Sequence, residues 1–411
     1  MDSWRSIGLP VAGVSLISAL GYYCLSRPVK AKSPRQKRLK KQQENMILFF
    51  DESGAKCYSC PDHNISTCLV EQCPLRHLWK IVKIVSEARY TVDVCLYSLT
   101  HPDLENAFLN LLKNGKKVRC VFGMRNDEED RSVKLLRSEG AFVTVKDRHS
   151  PATVPSKFVI PYLLMHHKFV IVDNRILITG SMNWTTSVSV IQSFHANWDH
   201  IIISTDKFLV SQFVEEFECL HAGGAGGDEK TYITRPTVGP SLQAIFFRKQ
   251  SLLCRPDANR KKKCDRPDCM FTVYRAVLHH IVSASVSIDI CVQQLTLEDV
   301  GNELVLSHDN GIKIRVISDR AYARGTGSQI PYFIKEGIPV HMKSDQETVH
   351  HKFIIVDGKT VLSGSLNWTM QSFFGNYENL LVIRDADLVS EFQREFERLW
   401  EFFPTANSVR A

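Results

Sequence analysis

The sequence predicts an α/β protein made of two similar layered domains in tandem, packed as an internal pseudo-dimer and preceded by a membrane-spanning helix. Three observations carry that expectation. A twenty-residue phrase occurs twice, as HHKFVIVDNRILITGSMNWT at 166–185 and HHKFIIVDGKTVLSGSLNWT at 350–369. Apolar β-branched runs alternate with helical stretches around each copy, the pattern of a sheet layered with helices. Residues 7–25, IGLPVAGVSLISALGYYCL, carry no charge.

As a helix that first run spans about 28 Å, close to the roughly 30 Å hydrocarbon core of a bilayer. Pro10 lies near its start, where a helix tolerates proline best. Residues 27–41 follow with eight Lys or Arg and no acid, a flank expected to stay in the cytosol. A cleaved secretory signal is the competing reading. The net charge of +7 is concentrated here: the first 41 residues carry +8, leaving −1 for the rest. A generally basic nucleic-acid surface is thereby excluded. Any grip on a polyanion falls to local groups, chiefly Lys168 and Lys352, with the run 255–263 as a further source.

The 411 residues suffice for two domains with their own cores. We read 1–41 as anchor and basic juxtamembrane segment, 42–220 as the first domain, 221–240 as a Gly-rich linker and 241–411 as the second domain. The duplication extends beyond the motif. ILFF (47–50) recurs as AIFF (244–247), TVDVCLYSLT (91–100) as SIDICVQQLT (287–296), and NGKKVRCVF (114–122) as NGIKIRVIS (310–318). Of the twelve cysteines, Cys95, Cys120 and Cys291 lie in apolar strand-like runs and Cys219 in a helical one, so they read as small buried hydrophobes. The others cluster. Cys57, Cys68, Cys73 and His77 form a plausible four-ligand zinc set, with Cys60 and His63 as competing ligands and reduced surface thiols as the alternative. Cys254, Cys264 and Cys269 persist in the second half, where Val273 stands in the place of His77.

The run from His166 to Asp173 reads as a strand, so His166 and Lys168 share a face with Val170 and Val172, while His167 and Asp173 point the other way. His350 and Lys352 pair in the same manner. Asp173-Asn174 and Asp357-Gly358 are tight hairpin signals, and both Asp residues are expected to fix the turn rather than touch substrate. The returning strand brings Ser181 and Asn183, or Ser365 and Asn367, beside the His-x-Lys pair. Imidazole, ammonium and amide on one face suit an anionic centre. Imidazole attacks phosphorus or protonates a leaving oxygen near neutral pH, and Lys and Asn hold the non-bridging oxygens. Two facing halves supply a nucleophile and an acid to one phosphate, and the scheme needs no metal. Trp184 and Trp368 follow the motif Asn and are expected in the core rather than stacked on a base.

His-x-Lys-x4-Asp followed by Gly-Ser-x-Asn, matched in both copies, resembles the signature of the phospholipase D superfamily. HHKFxIVD with GSxNWT, the segment GTGSQIPYFIKEGIPVHM (325–342) and the tail 378–403 are most similar to its mitochondrial cardiolipin hydrolase, or Zucchini endonuclease, group. The resemblance implies two phospholipase D-like domains and a covalent phosphohistidine, with the opposed His protonating the leaving group. It implies a supporting carboxylate downstream, at Glu378 in the second half and Asp199 in the first. On that basis Glu378 is expected behind His350, making His350 the nucleophile and His166 the acid. Cys73-x3-His77 resembles the group's Cys-Cys-Cys-His finger. Group members usually carry one motif and act as homodimers; here fusion implies a pseudo-dimer, with further homodimerisation left open. The implied substrate is single-stranded RNA, cut into precursors of PIWI-interacting RNAs, or cardiolipin, cleaved to phosphatidic acid. The implied location is the outer mitochondrial membrane, single-pass, with the catalytic part facing the cytosol. A phosphatidyltransferase and a non-catalytic mitochondrial-surface scaffold are the alternatives. The insertion at 148–164 reads either as an apolar rim for lipid or as a packed loop.

Overall fold

In the computed structural model, the repeated phrases become a repeated strand order. Residues 44–53, 73–123, 130–146, 164–186, 197–222, 240–247, 270–343 and 348–406 are described. The anchor reading at 7–25, the insertion at 148–164 apart from Leu164, and most of the Gly-rich linker lie outside them. No helix among the described residues is long and apolar enough to cross a membrane.

The first sheet comprises β1 (Asn45–Phe50), β2 (Thr91–Leu96), β3 (Lys117–Gly123), β4 (Phe142–Lys146), β5 (Lys168–Val172), β6 (Ile176–Gly180) and β7 (Asp199–Ser204), in the order β1-β7-β6-β5-β2-β3-β4. The second comprises β8 (Leu242–Phe247), β9 (Ser287–Val292), β10 (Lys313–Ser318), β11 (Val340–Met342), β12 (Lys352–Val356), β13 (Thr360–Gly364) and β14 (Glu378–Ile383), in the order β11-β10-β9-β12-β13-β14-β8. Read from β8, this is the first order again. In each sheet the three strands β2-β3-β4 or β9-β10-β11 run parallel, and the remaining pairs are antiparallel.

Helices cover the outer faces. In the first half these are α1 (Pro74–Ser86), α2 (Pro102–Lys113) and α3 (Arg131–Ser138), and in the second α5 (Met270–Val282), α6 (Glu298–Asp309), α7 (Arg320–Ala323), α8 (Ile330–Lys335) and α9 (Met370–Phe374). Leu78, Ile81 and Val85 of α1 recur at helical spacing and are buried against Val92, Val94, Val170 and Val172. The helix α4 (Lys207–Ala222) and its counterpart α10 (Ala386–Phe402) lie instead in the layer between the sheets. There Phe213 and Phe217 meet Phe392 and Phe396 in one shared core with Phe169, Ile171, Phe353 and Ile355. The strands are therefore apolar on both faces, as a sheet covered on both sides requires. Alternate residues of β5 go to different layers: Val170 and Val172 outward, Phe169 and Ile171 to the middle. The parity expected from the sequence is met.

The halves exchange support across that middle layer. Gln212 of α4 accepts the Ala244 N–H of β8 at 3.0 Å, and α10 packs on β1. Each half also has a matched ion pair. Arg119 grips Asp93 (2.6 and 2.7 Å) and lies over Phe217, while Arg315 grips Asp289 (2.7 and 2.8 Å) and lies over Phe396. Cys95, Cys120 and Cys291 are fully buried among apolar side chains, as expected, and burial pushes their thiols up. Trp184 and Trp368 are core residues; Trp184 stacks on Phe108 at 6.4 Å.

Candidate active site between the two motif hairpins

Each motif strand ends in a two-residue turn whose central residues both have positive φ: Asp173 (52°) and Asn174 (50°), then Asp357 (53°) and Gly358 (59°). This is the hairpin geometry whose twist matches the flanking strands. The Asp173 carboxylate accepts the N–H groups of Arg89, Tyr90 and Thr91 at 2.8–3.0 Å. Asp357 does the same for Ser285, Val286 and Ser287. Both carboxyls sit below their ordinary pKa: burial raises them, and the three N–H groups together outweigh it. The two Asp residues tie the far end of the motif strand to the neighbouring strand, at the opposite end from the histidines.

At the near end the halves are stitched crosswise. Met165 bridges Tyr377 and Val349 bridges Trp198, each in parallel. The His166 N–H donates to Tyr377 O at 3.0 Å and the His350 N–H to Trp198 O at 2.9 Å. Glu378 and Asp199, the first residues of β14 and β7, follow those bridging residues directly. Their carboxylates therefore reach the other half's imidazole. His166 Nδ1 donates to Glu378 Oε1 at 2.7 Å, and His350 Nδ1 donates to Asp199 Oδ1 at 2.7 Å. This corrects the expectation that Glu378 stands behind His350. The pairing is exchanged, and the ground for naming His350 the nucleophile from its carboxylate is removed. With Nδ1 engaged, Nε2 is the ring atom left to act; neither Nε2 has a hydrogen bond among the described residues.

The motif Ser and Lys residues converge on the same place. Ser181 Oγ donates to Asp199 Oδ1 and Ser365 Oγ to Glu378 Oε2, both at 2.6 Å, so each Ser supports the carboxylate. Lys168 Nζ donates to His166 O at 2.8 Å. Lys352 Nζ donates to His350 O at 2.9 Å and to Gln293 Oε1 at 3.3 Å. Asn183 and Asn367 are part-buried, with Oδ1 atoms that are sequestered and unpaired among the described residues.

Electrostatics reflect two lysines, two carboxylates and two imidazoles in a buried site. Burial lowers Lys352 to about 7 and Lys168 to about 8, with Asp199 and Glu378 pulling the other way. Burial also lowers both histidines, His350 to about 4, against the raising effect of their carboxylates. Burial raises Asp199 and Glu378, but the histidine and lysine charges outweigh it and hold both below the usual carboxylate range. His166 is lowered by Lys352 as well as Lys168, and His350 by Lys168 as well as Lys352. The two motifs thus act on each other through one shared field.

Several residues of this site escaped the sequence reading. Tyr97 lies edge-on to His166, with centroids 5.6 Å apart. Asn376 Nδ2 donates to Glu378 Oε1 at 3.0 Å. Asp319 accepts the N–H of Val349 at 3.1 Å. His167, His200 and His351 form buried polar contacts in the middle layer, where Asn379 Nδ2 donates to His167 Nδ1 and the rings of His200 and His351 share a hydrogen bond of 3.0 Å. No spacing signal marked these residues: apart from Asn376, two residues before Glu378, each gains its partner from a distant part of the chain.

Of the zinc set, Cys57 and Cys68 lie outside the described residues, as do Cys254, Cys264 and Cys269. Among the described residues no group of three or more His, Cys, Asp or Glu could hold a metal. The two visible members fit the role. Cys73 is a buried free thiol one turn ahead of His77. His77 Nδ1 donates to Phe49 O at 2.9 Å, which fixes the tautomer and makes Nε2 the ring atom that would bind a metal. Val273, at the corresponding place in the second half, is buried core.

A family model described as cardiolipin synthase, PLD-like domain, matches residues 81–221 and again 277–400. The mitochondrial cardiolipin hydrolase of Chlamydomonas reinhardtii is 36% identical over 169 residues, spanning 40% of this chain and 75% of that protein. The human protein of the same name is 36% identical over 174 residues, spanning 40% of this chain and 69% of that one. Phosphatidylserine synthase from Haemophilus influenzae shares the fold over 90% of both chains, with a TM-score of 0.59 and 12% identity. The chain is a phosphodiester hydrolase that belongs to the phospholipase D superfamily, in its mitochondrial cardiolipin hydrolase group, with the domain present twice.

Proposed function

We propose that this chain cleaves a phosphodiester through a phosphohistidine, using one imidazole as nucleophile and the other as acid. The observation that supports it is the crosswise pair of buried carboxylates, each holding Nδ1 of the other half's histidine and leaving Nε2 to the substrate. Nε2 of one ring attacks phosphorus; the P–O bond to the leaving group breaks as the other Nε2–H protonates that oxygen. Water then attacks phosphorus, gives its proton to the same second ring, and the P–N bond breaks. Lys168, Lys352, Asn183 and Asn367 hold the non-bridging oxygens as charge develops. No metal takes part at this centre. Cys57, Cys68, Cys73 and His77 hold a structural zinc that supplies only local stability to the start of α1.

Cardiolipin, yielding phosphatidic acid, is the substrate that the names of the relatives support. Endonucleolytic cleavage of single-stranded RNA uses the same chemistry and is the second substrate of this reading. Residues 7–25 anchor the protein in the outer mitochondrial membrane, with the catalytic halves in the cytosol. The full chain in detergent is given cardiolipin liposomes and single-stranded RNA in separate reactions containing a chelator, with His350→Asn as control. Release of phosphatidic acid, lost in the control, is the expected result. Cleavage of RNA alone selects the nuclease, and turnover of neither by the wild type refutes the hydrolase reading.

A further inference from the structure

The two sides of the site are built on equivalent backbone but not on equivalent side chains. Tyr97 and Gln293 occupy matched positions: the Tyr97 N–H donates to His167 O and the Gln293 N–H to His351 O, both at 3.0 Å. Their side chains do different things. The Tyr97 ring packs on His166, whereas Gln293 Oε1 receives Lys352 Nζ. A second difference lies one strand over. Gly123 ends β3 where Asp319 follows β10. A Cβ at Gly123 would come within 3.2 Å of Met165 O and Tyr97 O, so a side chain there would be tightly crowded by backbone. In the second half, Asp319 Oδ2 takes the N–H of Val349, the residue before His350, while Oδ1 takes those of Ala321 and Tyr322.

An ammonium has three donors. Lys352 gives two of them to His350 O and Gln293 Oε1 and keeps one for substrate. Lys168 gives one to His166 O and, among the described residues, keeps two. A bound phosphate is therefore held unequally, and the His350 side is the more rigid. A nucleophile needs a ring and an electrophile fixed in near-attack geometry.

We propose that Gln293 and Asp319 are positioning residues that make the second half the attacking side, so that the phosphodiester binds in one orientation and the covalent bond forms on His350. The inference rests on the phosphohistidine reading above. In the step, His350 Nε2 bonds to phosphorus, the leaving oxygen departs with the proton of His166, and water reverses the sequence at the P–N bond.

The test uses bis(p-nitrophenyl) phosphate as probe, with an alkaline quench within the first turnover and peptide mass spectrometry of the full-length protein. The expected wild-type result is an aryl-phosphoryl adduct on His350 in at least about tenfold excess over His166, a difference of about 1.4 kcal/mol in barrier. Gln293→Ala is expected to shift adduct toward His166, and Gln293→Asn to restore most of the bias. The paired exchange Tyr97→Gln with Gln293→Tyr is expected to shift it furthest. Equal labelling of the two histidines in the wild type, or an excess on His166, overturns the proposal, and neither result depends on a variant folding. A distribution unchanged in all three variants overturns the role of Gln293. Turnover without an adduct on either ring overturns the phosphohistidine reading itself.

Discussion

Replacing Asp199 by Asn tests the crosswise architecture most directly. Asp199 is fully buried, and its Oδ1 receives both His350 Nδ1 at 2.7 Å and Ser181 Oγ at 2.6 Å. An amide conserves shape and removes charge. A charge-assisted bond of about 2 kcal/mol becomes a neutral one of about 1 kcal/mol. The amide NH2 enters the place of Oδ2, which has no partner among the described residues, at a further cost of about 1–3 kcal/mol. Lys352 loses a counter-charge in a buried site. We expect destabilisation of about 3 kcal/mol and a fall in kcat/KM of about 100- to 1000-fold, because the imidazolium of the reacting pair loses its anion. The effect must belong to His350. In denaturant unfolding, Asn at 199 combined with His350→Asn should be less destabilising than the sum by about 2 kcal/mol, whereas combination with His166→Asn should be near additive. The pH dependence has a definite sign. A depressed carboxyl contributes stability above its unfolded pKa of about 3.9 and loses it as pH falls through the folded value. The gap between wild type and Asp199→Asn should therefore be full at pH 7 and shrink below about pH 4. Coupling to His166 in place of His350 would refute the crosswise assignment.

Three further outcomes follow from the same geometry. In the proposed mechanism protonated Lys352 and Lys168, at about 7 and about 8, hold the phosphate, so kcat/KM for bis(p-nitrophenyl) phosphate should fall with increasing steepness above pH 7, mostly through KM; a flat profile from pH 6 to 9 contradicts this. Asp173→Ala frees three N–H groups at the turn remote from the histidines, so unfolding should show a loss of about 1–3 kcal/mol while kcat stays within about threefold; a hundredfold loss of kcat with folding intact would place Asp173 in the chemistry. At Gly364 a Cβ would lie 2.3 Å from Asn379 O, next to Glu378, so Gly364→Ala should push β14 away and lower both the melting temperature and the activity; a variant with wild-type activity would show that β13 and β14 tolerate separation there.

Local chemistry was legible in the sequence wherever it repeats along the chain. The turn role of Asp173 and Asp357 follows from a dipeptide whose residues accept positive φ, and the strand parity of His166 and Lys168 follows from a period of two. Burial of the strand cysteines followed from their apolar neighbours, and that of Trp184 and Trp368 from their place directly after the motif Asn. Tyr97, Gln293 and Asp319 were not legible, because each stands at a strand end in an unremarkable run and gains its role from a neighbour contributed by another strand. The anchor reading at 7–25 and two of the four zinc-set residues, Cys57 and Cys68, lie outside the described residues and rest on composition and spacing.

The misplaced carboxylate has the most general cause. Along the chain Glu378 lies 28 residues after His350, and linear order assigns them to each other. In space the first residue of β14 faces the other sheet, because Tyr377 bridges Met165 and directs the next side chain over the interface. Two identical chains would hide this exchange, since own and partner carboxylates would be the same residue type. Here the halves differ, with Asp on one side and Glu on the other, and the exchange acquires a consequence: each histidine is supported by a carboxylate whose identity is set by the opposite half. A substitution in one half therefore acts on the imidazole of the other. Neither half holds a complete set of histidine, lysine and supporting carboxylate by itself, which ties the chemistry to the packing of the middle layer that contains Phe213, Phe217, Phe392 and Phe396.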